Sequence, residues 1–369
     1  MKYYLSIPNP TVKGLEIDFV CDALKDNQPA SGKYTGLFEN SVKELTGAKE
    51  ALAVVNGTSA IHLALLALGV GRGDCVFAST FTFIGSVSPI VYQGAVPVFI
   101  DSDKKTWNMD PNLLEDELIR RAKSGGKMPK ALILTHIYGQ PADMDAICQL
   151  CAKYRISLIE DAAESLGATF NGKHTGTFGR IGIYSFNANK MITSGGGGML
   201  VSNEPELIER ARYFANQAKE PLDYYEHVNI GYNYRISNIQ CAVGYAQMQE
   251  FSERMDKRRH IFNMYQRELQ GGPMVFMPEH EKGSGSRWLT AAVFYGEDRV
   301  GIKGYMDVEG AETRPLWKPM HMQPVFKDAH AVVNGTAEDF FEYGLCLPSC
   351  DTLTQENIQE ISAKIIRIL

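Results

Sequence analysis

The chain has 369 residues, 44% of them hydrophobic, and a formal net charge of −6. A chain of this length can bury a large core, and we expect two domains, at residues 1–240 and 241–369. The acidic balance argues against nucleic acid or an anionic membrane as a partner. No segment reaches the roughly 18 apolar residues of a membrane span, and the first residues carry no signal-like apolar run, so we expect a cytoplasmic protein.

The chain contains seven cysteines, an odd number that favours reduced thiols over a disulfide framework. Cys148 and Cys151 have the spacing of a redox or zinc pair. They lie in a segment with helical apolar spacing, and the chain has no second pair with ligand spacing. Packing in the core is therefore the favoured interpretation, and no metal site is predicted.

In the first two thirds of the chain, short apolar runs alternate with segments of helical periodicity. This alternation is typical of an α/β fold, with a largely parallel sheet and helices on both faces. The predicted strands are 50–55, 75–78, 96–100, 131–135 and 156–160, and the predicted helices between them are 59–68, 111–121 and 144–154.

A long helical period begins near Asn238 and continues to Leu269 without a proline to stop it. We expect one continuous helix here, which crosses into the smaller C-terminal α/β domain. That domain ends in a predicted helix at 355–369.

Lys190 and Asp161 point most directly to chemistry. Asp161 stands at the end of a predicted buried strand, and Lys190 precedes a run of glycines at 195–198. Pyridoxal phosphate needs a lysine amine to hold its aldehyde and a carboxylate to keep the proton on its ring nitrogen. A lysine alone is usually a solvated surface charge, and an aspartate at a strand end is usually a turn or cap residue. The combination of the two favours this cofactor.

A phosphate group would find donors where the first predicted strand ends and a helix begins. Gly57, Thr58 and Ser59 offer backbone amides at a helix N-terminus and two hydroxyl groups, and Ser185 can supply a further hydroxyl. An ordinary helix cap is the alternative interpretation of this motif. Neither glycine-rich segment of the chain has the order of a dinucleotide-binding or Walker loop, so NAD and ATP lack their main support.

Together these motifs resemble the vitamin B6-dependent sugar aminotransferases of the DegT/DnrJ type, which have the aspartate aminotransferase fold, fold type I. The resemblance covers nearly the whole chain, and the motifs occur in the same order. The matching motifs include Asn56-Gly-Thr-Ser-Ala60, Ser79-Thr-Phe-Thr-Phe83, Glu160-Asp-Ala-Ala-Glu164, Tyr184-Ser-Phe-Asn-Ala-Asn-Lys190, Gly231-Tyr-Asn-Tyr-Arg235 and Thr313-Arg-Pro-Leu-Trp-Lys318.

The resemblance implies a role for each matching residue. Lys190 would hold the cofactor as a Schiff base and shuttle the proton between substrate and cofactor, and Asp161 would pair with the pyridine nitrogen. Phe83 would stack on the ring, for which a place in the apolar core is the alternative. The phosphate would be held by Gly57, Thr58 and Ser185, and by Asn233 of a neighbouring subunit, which implies a homodimer with shared active sites.

Two positions distinguish this chain within the family. Glu164 stands where many members carry a neutral Gln or His facing the ring hydroxyl, and an ionised carboxylate there would be repelled by a phenolate. Some members that eliminate rather than transaminate carry a histidine in place of Lys190. The lysine therefore favours transamination.

The similarity is greatest to enzymes that install the 4-amino group on a UDP-linked 4-keto-6-deoxy-N-acetylhexosamine, on the route to N-acetylbacillosamine. It implies L-glutamate as the amino donor, with a 3-aminotransferase or a dTDP-sugar enzyme as the main alternative. A nicotinamide-dependent oxidoreductase would need a Gly-x-Gly-x-x-Gly turn that the chain lacks, and a non-catalytic relative would be expected to lose Lys190 or Asp161. Candidate contacts for the diphosphate or sugar, with solvated surface roles as the alternative, are Arg287, Arg314, Lys318 and His321.

Overall fold

Helices and strands alternate along most of the chain. The computed structural model describes residues 1–7, 9–11, 13–25 and 28–369. The α-helices are Leu15–Lys25 (α1), Lys33–Thr46 (α2), Gly57–Ala67 (α3), Ser88–Tyr92 (α4), Pro111–Ser124 (α5), Met144–Tyr154 (α6), Pro205–Ala215 (α7), Asn238–Met248 (α8), Phe251–Glu268 (α9), Arg299–Val308 (α10), Thr336–Tyr343 (α11) and Gln355–Ile368 (α12). The β-strands are Glu50–Val54 (β1), Cys75–Ser79 (β2), Val96–Ile100 (β3), Ala131–Thr135 (β4), Ser157–Asp161 (β5), Thr169–Phe170 (β6), Lys173–His174 (β7), Ile181–Ser185 (β8), Gly198–Ser202 (β9), Met274–Phe276 (β10), Gly283–Ser284 (β11), Thr290–Phe294 (β12), Arg314–Pro315 (β13), His330–Val332 (β14) and Gly344–Leu347 (β15).

An eight-stranded sheet of order β1-β9-β8-β5-β4-β2-β3-β14 forms the centre of the larger part of the molecule. The pairs from β8 through β14 are parallel, and only the pairs of β9 with β1 and with β8 are antiparallel. This confirms the predicted α/β fold with a mostly parallel sheet. All five predicted strands are present, and the fifth is displaced by one residue so that Asp161 is its last residue.

Alternation along the strands explains why helices cover both faces of this sheet. In β1, Leu52 and Val54 pack into one hydrophobic cluster, whereas Ala51 and Ala53 pack into another. Successive side chains of a strand point to opposite faces, so a strand that is apolar throughout needs a cover on each side. Helices α3 and α7 belong to the first cluster, and α2 and α8 belong to the second.

The helix predicted to run unbroken from 238 to 269 is two helices, and this prediction was wrong. Helix α8 ends at Met248, and Glu250 leaves helical geometry with φ −115° and ψ 13° before α9 begins. The two halves bury their apolar side chains in different places. Helix α8 packs against α1 and α2, whereas α9 packs against α12. One straight helix could not present its apolar side chains to both.

A four-stranded antiparallel sheet of order β10-β12-β15-β13 is the centre of the smaller part. Two segments cross the predicted boundary at 240/241. Strand β14 adds a parallel edge to the large sheet, and Tyr3 packs with residues of α9, α10 and α12. The division into 1–240 and 241–369 stays a prediction.

The cysteine pair on α6 lies in apolar surroundings. Cys151 is a buried member of a hydrophobic cluster, and Cys148 packs against that cluster. Burial raises the pKa of the Cys148 thiol to about 11 and that of the Cys151 thiol to about 12. Both thiols are therefore protonated near neutral pH, which agrees with the predicted packing role. Within the described ranges, no helix combines the length and the apolar character that crossing a membrane requires.

Candidate active site

A cavity of about 470 Å³ opens at the carboxyl ends of the parallel strands. Its wall combines the ends of β1, β4, β5 and β8 with residues of the small sheet. Ligands of open α/β sheets bind at this edge, and the volume is in the range of small-molecule sites. The cavity gathers most of the residues that the sequence singles out, namely Gly57, Thr58, Phe83, Asp161, Glu164, Ser185, Lys190 and Arg314.

A larger cleft of about 1080 Å³ lies elsewhere, between the loop at 103–112, helix α6 and residues 279–281. Charges of both signs line it, among them Lys104, Asp110, Glu115 and Lys153. Lys104 and Lys153 pair with carboxylates and stay largely solvated. The larger volume therefore reflects an open surface depression, and the smaller, more apolar cavity is the candidate site.

The start of α3 borders the cavity, and the backbone of β9 packs closely against it. The Asn56 side chain accepts the Ser59 N–H at 2.7 Å and caps the helix. Gly198 of β9 lies so close that an added Cβ would sit 2.4 Å from the Asn56 carbonyl carbon. Ser185 faces Gly57, where an added Cβ would lie 3.4 Å from the Ser185 Cβ. The amide of Gly57 and the hydroxyls of Thr58 and Ser185 thus border one space, whereas the amide of Ser59 is used by the cap.

Hydrogen bonds fix Asp161 at the cavity floor. Its carboxylate accepts a short hydrogen bond from the Ser86 hydroxyl and the Ala163 N–H at 3.1 Å. The Ser86 hydroxyl also contacts that of Thr82 at 2.7 Å, which in turn lies 2.8 Å from the Thr135 hydroxyl. The Asp161 side chain is 5% exposed. A buried carboxylate with these donors is rigid and held in one orientation.

The neighbouring Glu160 points to the opposite side of β5 and secures the strand. It accepts three backbone N–H groups of the segment 176–179 at 2.6–2.8 Å. His136 Nδ1 accepts the Ala142 N–H, so its Nε2 carries the proton and donates to Glu160 at 3.0 Å. This buried network fixes the strand that carries Asp161.

Lys190 lines the same cavity, and its Nζ has two close contacts. Its Nζ lies 3.4 Å from Glu164 Oε1 and 3.9 Å from the centre of the Trp288 ring. The Trp288 Nε1–H donates to the Asn189 carbonyl at 2.8 Å, which fixes the indole beside the lysine. A carboxylate and an aromatic face both stabilise an ammonium group.

Glu164 is as buried as Asp161 but has fewer partners. Its Oε2 accepts the Tyr138 N–H at 2.7 Å, and its Oε1 faces Lys190. Burial raises the pKa of this carboxyl to about 7, against the opposing effects of Lys190 and the Tyr138 N–H. Near neutral pH, Glu164 therefore exists in both its protonated and its ionised form.

Aromatic side chains form the remaining wall. The Phe83 and Trp317 rings lie 5.5 Å apart, and Trp317 lies 5.4 Å from Tyr138. Phe83 is 58% exposed, so it is not a core residue in this chain. The backbone N–H of Trp317 donates to the Tyr138 hydroxyl at 3.0 Å. This hydrogen bond joins the small-sheet side of the cavity to the large-sheet side.

Five predicted site residues do not line this cavity, and one of them is Ser59, whose backbone N–H is used by the Asn56 cap. Asn233 is exposed and bridges to Asn216, and Lys318 is half-buried with its carbonyl accepting from Gln323. His321 bonds to Thr80 and Glu338 instead.

Arg287 is buried and does not line the cavity, so the structure does not bring it together with the other predicted residues. Its guanidinium stacks 3.6 Å over the Phe262 ring, donates to the Met277 carbonyl at 2.9 Å and pairs with Glu279 at 3.7 Å. Sequence reasoning also missed Trp288, the next residue, for which no motif gave a signal. Trp317 lies inside the Thr313–Lys318 motif, and Ser86 follows the Ser79–Phe83 motif by three residues, but neither was predicted as a site residue.

The parallel sheet, with a lysine and an aspartate facing one cavity at its carboxyl edge, defines the class of fold type I aminotransferases. A model of the DegT/DnrJ/EryC1/StrS aminotransferase family matches residues 10–366. The chain belongs to this family.

Comparisons with individual proteins agree. The chain is 48% identical over 362 residues to a Bacillus subtilis protein named as a pyridoxal phosphate-dependent aminotransferase, EpsN, with 96% of this chain and 92% of the relative covered. It is 35% identical over 357 residues to the GDP-perosamine synthase of Escherichia coli O157:H7, with 96% of each covered. A solved structure of a DegT DnrJ EryC1 StrS aminotransferase from Brucella abortus matches with a TM-score of 0.91 at 26% identity, covering 96% of this chain and 95% of that one. The predicted family, fold type and enzyme class are confirmed, with pyridoxal phosphate as the cofactor of this family.

Proposed function

We propose that this chain transfers the amino group of L-glutamate, through pyridoxal phosphate, to the C4 ketone of a UDP-linked 4-keto-6-deoxy-N-acetylhexosamine. The product would be a UDP-4-amino sugar for bacterial glycan synthesis, on the route to N-acetylbacillosamine. The observation that carries the proposal is the single cavity that brings Lys190, Asp161 and the start of α3 together. The similarity to a GDP-perosamine synthase supports a nucleotide-linked sugar as substrate. We place the reaction in the cytoplasm, where activated sugars are made.

The residues of the cavity fit the cofactor at both of its ends. A phosphate is an anion, and the start of α3 offers the Gly57 amide with the hydroxyls of Thr58 and Ser185 around one space. A pyridinium nitrogen requires a fixed carboxylate, and Asp161 is held by Ser86 and Ala163. The exposed face of Phe83 is free to stack on a planar ring.

When bound, the cofactor supplies an electron sink for the carbon from which a proton is removed. The protein's part is to orient, to exclude water and to move that proton. Asp161 would keep the proton on the ring nitrogen. The Lys190 side chain is 13% exposed and lines the same cavity, and its Nζ is the base that takes the proton and the acid that returns it.

Arg314 is the candidate contact for the substrate's diphosphate that the geometry favours. Its side chain is 60% exposed, and the residue lines the cavity. Its guanidinium pairs with Glu312 at 2.7 Å and keeps further N–H donors for an anion. Trp317, at the same side of the cavity, offers an aromatic face to a sugar or base.

A homodimer with shared active sites is part of the proposal. The segment at 222–230 exposes large apolar side chains that a second copy would cover, namely Leu222, Tyr224, Tyr225, Val228 and Ile230. Asn233 follows this segment and is exposed, as a residue that reaches a partner's cavity must be. The dimer would complete each site with Asn233 of the partner at the phosphate.

The first experiment records the visible absorption of the purified protein before and after L-glutamate. A yellow colour that bleaches, with release of 2-oxoglutarate, is the expected result. A protein that stays colourless after added pyridoxal phosphate would contradict the proposal at its root.

The second experiment offers the glutamate-treated protein a panel of UDP-, dTDP- and GDP-linked 4-keto and 3-keto sugars. We expect turnover of the UDP-linked 4-keto sugar to exceed the others by at least about tenfold, since a difference of about 1.4 kcal/mol in transition-state binding is tenfold in rate. Preference for a 3-keto or a dTDP-linked sugar would replace the substrate assignment with the alternative and leave the aminotransferase intact.

The third experiment mixes two inactive variants, Lys190→Ala and Asn233→Ala. In a shared-site dimer, each mixed pair has one cavity with both defects and one with neither. Activity should therefore appear on mixing and subunit exchange. If the mixture stays as inactive as its parents although exchange is shown to occur, Asn233 does not act across the interface.

A further inference from the structure

Glu164 and Lys190 are in direct contact, and the proposed function assigns no role to Glu164. Both side chains line the cavity, and the 3.4 Å from Glu164 Oε1 to Lys190 Nζ is direct, with no other side chain between them. That distance is just beyond the range for proton transfer, and such contacts generally shorten when a site is loaded.

We propose that Glu164 is the proton partner of Lys190 and exchanges one proton with the lysine amine inside the closed cavity. The inference rests on the proposed function, in which Lys190 acts as a base in one step and as an acid in the next. A nearby group that can accept or return a proton can reset the protonation state of the lysine amine between those steps.

The exchange is balanced within the pair. The O–H bond at Glu164 Oε1 breaks, its electron pair stays on the carboxylate, and an N–H bond forms at Lys190 Nζ. The reverse step restores the acid and the neutral amine. No other reactant is needed.

The surroundings favour both forms of the pair. Burial of Glu164 favours the neutral carboxyl, whereas the Trp288 ring 3.9 Å from Nζ favours the ammonium. Burial and the neighbouring Lys190 thus act on the Glu164 carboxyl in opposite directions, and burial prevails, which raises its pKa to about 7.

Three other titratable groups act on Glu164 or are acted on by it, and none of them is a proton partner. Asp161 contributes a like charge from β5 and accepts hydrogen bonds from Ser86 and Ala163. From the other side, the Tyr138 phenol and the Cys346 thiol face it, and burial raises the pKa of each well above neutrality. Lys190 is thus the group with which Glu164 can exchange a proton.

The test measures the reactivity of Lys190 in the full-length protein freed of cofactor. Trace acetylation with acetic anhydride, read by peptide mass spectrometry against the solvated Lys153, reports the neutral amine at each pH. For an isolated lysine, the rate rises tenfold per pH unit on the acid side of its titration. We expect the wild-type line to break near pH 7, where Glu164 ionises, and to continue about tenfold lower, because the carboxylate then holds the proton on the amine.

Glu164→Gln keeps the shape of the side chain and removes its titration. In this variant we expect a straight line, about tenfold above wild type at pH 8. Glu39→Gln is the matched control, because Glu39 also accepts a backbone N–H, at 2.8 Å from Ala53, and its pKa is also raised by burial. It should keep the break.

A straight wild-type line, or a break that survives in Glu164→Gln, would overturn the proposal. The wild-type measurement needs no variant, so a folding defect in Glu164→Gln cannot mask the outcome. The test is also separate from the proposed function. Failure of L-glutamate to bleach the holoenzyme would refute the transamination, whereas the acetylation profile concerns the lysine and carboxyl alone.

Discussion

Asp161 and Glu164 lie three residues apart in one cavity, at 5% and 6% exposure, and yet their environments differ. Asp161 accepts hydrogen bonds from a hydroxyl and from a backbone N–H, and the hydroxyl donor, Ser86, is itself hydrogen-bonded to another buried hydroxyl. Glu164 accepts one backbone N–H and faces Lys190 across a longer contact. Burial alone therefore does not decide how a carboxyl behaves, because the number and kind of its donors matter as much.

The difference assigns the two carboxyls to different tasks. A carboxylate with settled hydrogen bonds holds a charge in place, which suits the ring nitrogen of the cofactor. A carboxyl with a pKa of about 7 can take or give a proton near neutral pH. We therefore regard Asp161 with its donors as the fixed part of the site, and Glu164 with Lys190 as the part through which protons move.

Lys190→Ala should give the largest effect. It removes the amine that holds the cofactor and moves the proton, and we expect turnover to fall by roughly 10⁴-fold or more. The fold should persist, since the side chain contacts only Glu164 and Trp288 among the interactions described. The check is the rate of 2-oxoglutarate release, with Lys153→Ala, a surface variant, as the control. Turnover near that of wild type in Lys190→Ala would remove the basis of the assignment.

Asp161→Asn should come next. The amide has the shape of the carboxylate but no charge, so the cofactor's ring nitrogen would lose its proton more easily, and we expect a loss of about 10²- to 10³-fold in turnover. The matched control is Asp103→Asn, since Asp103 is a half-buried acceptor of backbone N–H groups in a loop outside the cavity. Equal turnover in the two variants would mean that the charge of Asp161 has no special role.

The sequence predicted the site residues at the edge of the large sheet better than those contributed by the small sheet. Asp161, Ser185 and Gly57 stand at the ends of strands or the start of a helix, and local patterns place such positions. Because parallel strands end at one edge of a sheet, these residues had to meet. The roles given to them from the family stay predictions until the variants are measured.

The residues contributed by the small sheet could not be placed in this way. Arg287 was chosen because its charge suits a diphosphate, yet its backbone has φ 55°, and its side chain packs over Phe262. The cavity is instead lined by its neighbour Trp288. Which of two adjacent residues faces the site depends on the local backbone and on tertiary packing, which residue type and periodicity do not reveal.

Glu164→Gln tests the movable part through stability. An unfolded chain ionises this carboxyl at its ordinary value of 4.5, whereas the folded chain does so at about 7. The stabilising contribution of the protonated form is therefore complete below about pH 4.5 and is lost as the pH rises through about 7. The free energy of unfolding of wild type relative to the variant should fall by on the order of 1 to 3 kcal/mol between about pH 5 and pH 7.5. Urea unfolding at a series of pH values checks this, and a constant difference would contradict the raised pKa.

Ser86→Ala should give the smallest effect and bears on the fixed part alone. The variant removes one hydroxyl donor from Asp161, a loss worth about 1 kcal/mol, and we expect kcat to fall about five- to tenfold with little change in KM for L-glutamate. Ser88→Ala is the matched control, because the Ser88 hydroxyl is exposed and donates only to the Ile84 carbonyl at 3.0 Å. If both variants behave like wild type, the hydroxyl chain stabilises the fold without orienting Asp161. A drop in kcat confined to Ser86→Ala would show that the carboxylate must be held as well as charged, which is the property that separates Asp161 from Glu164.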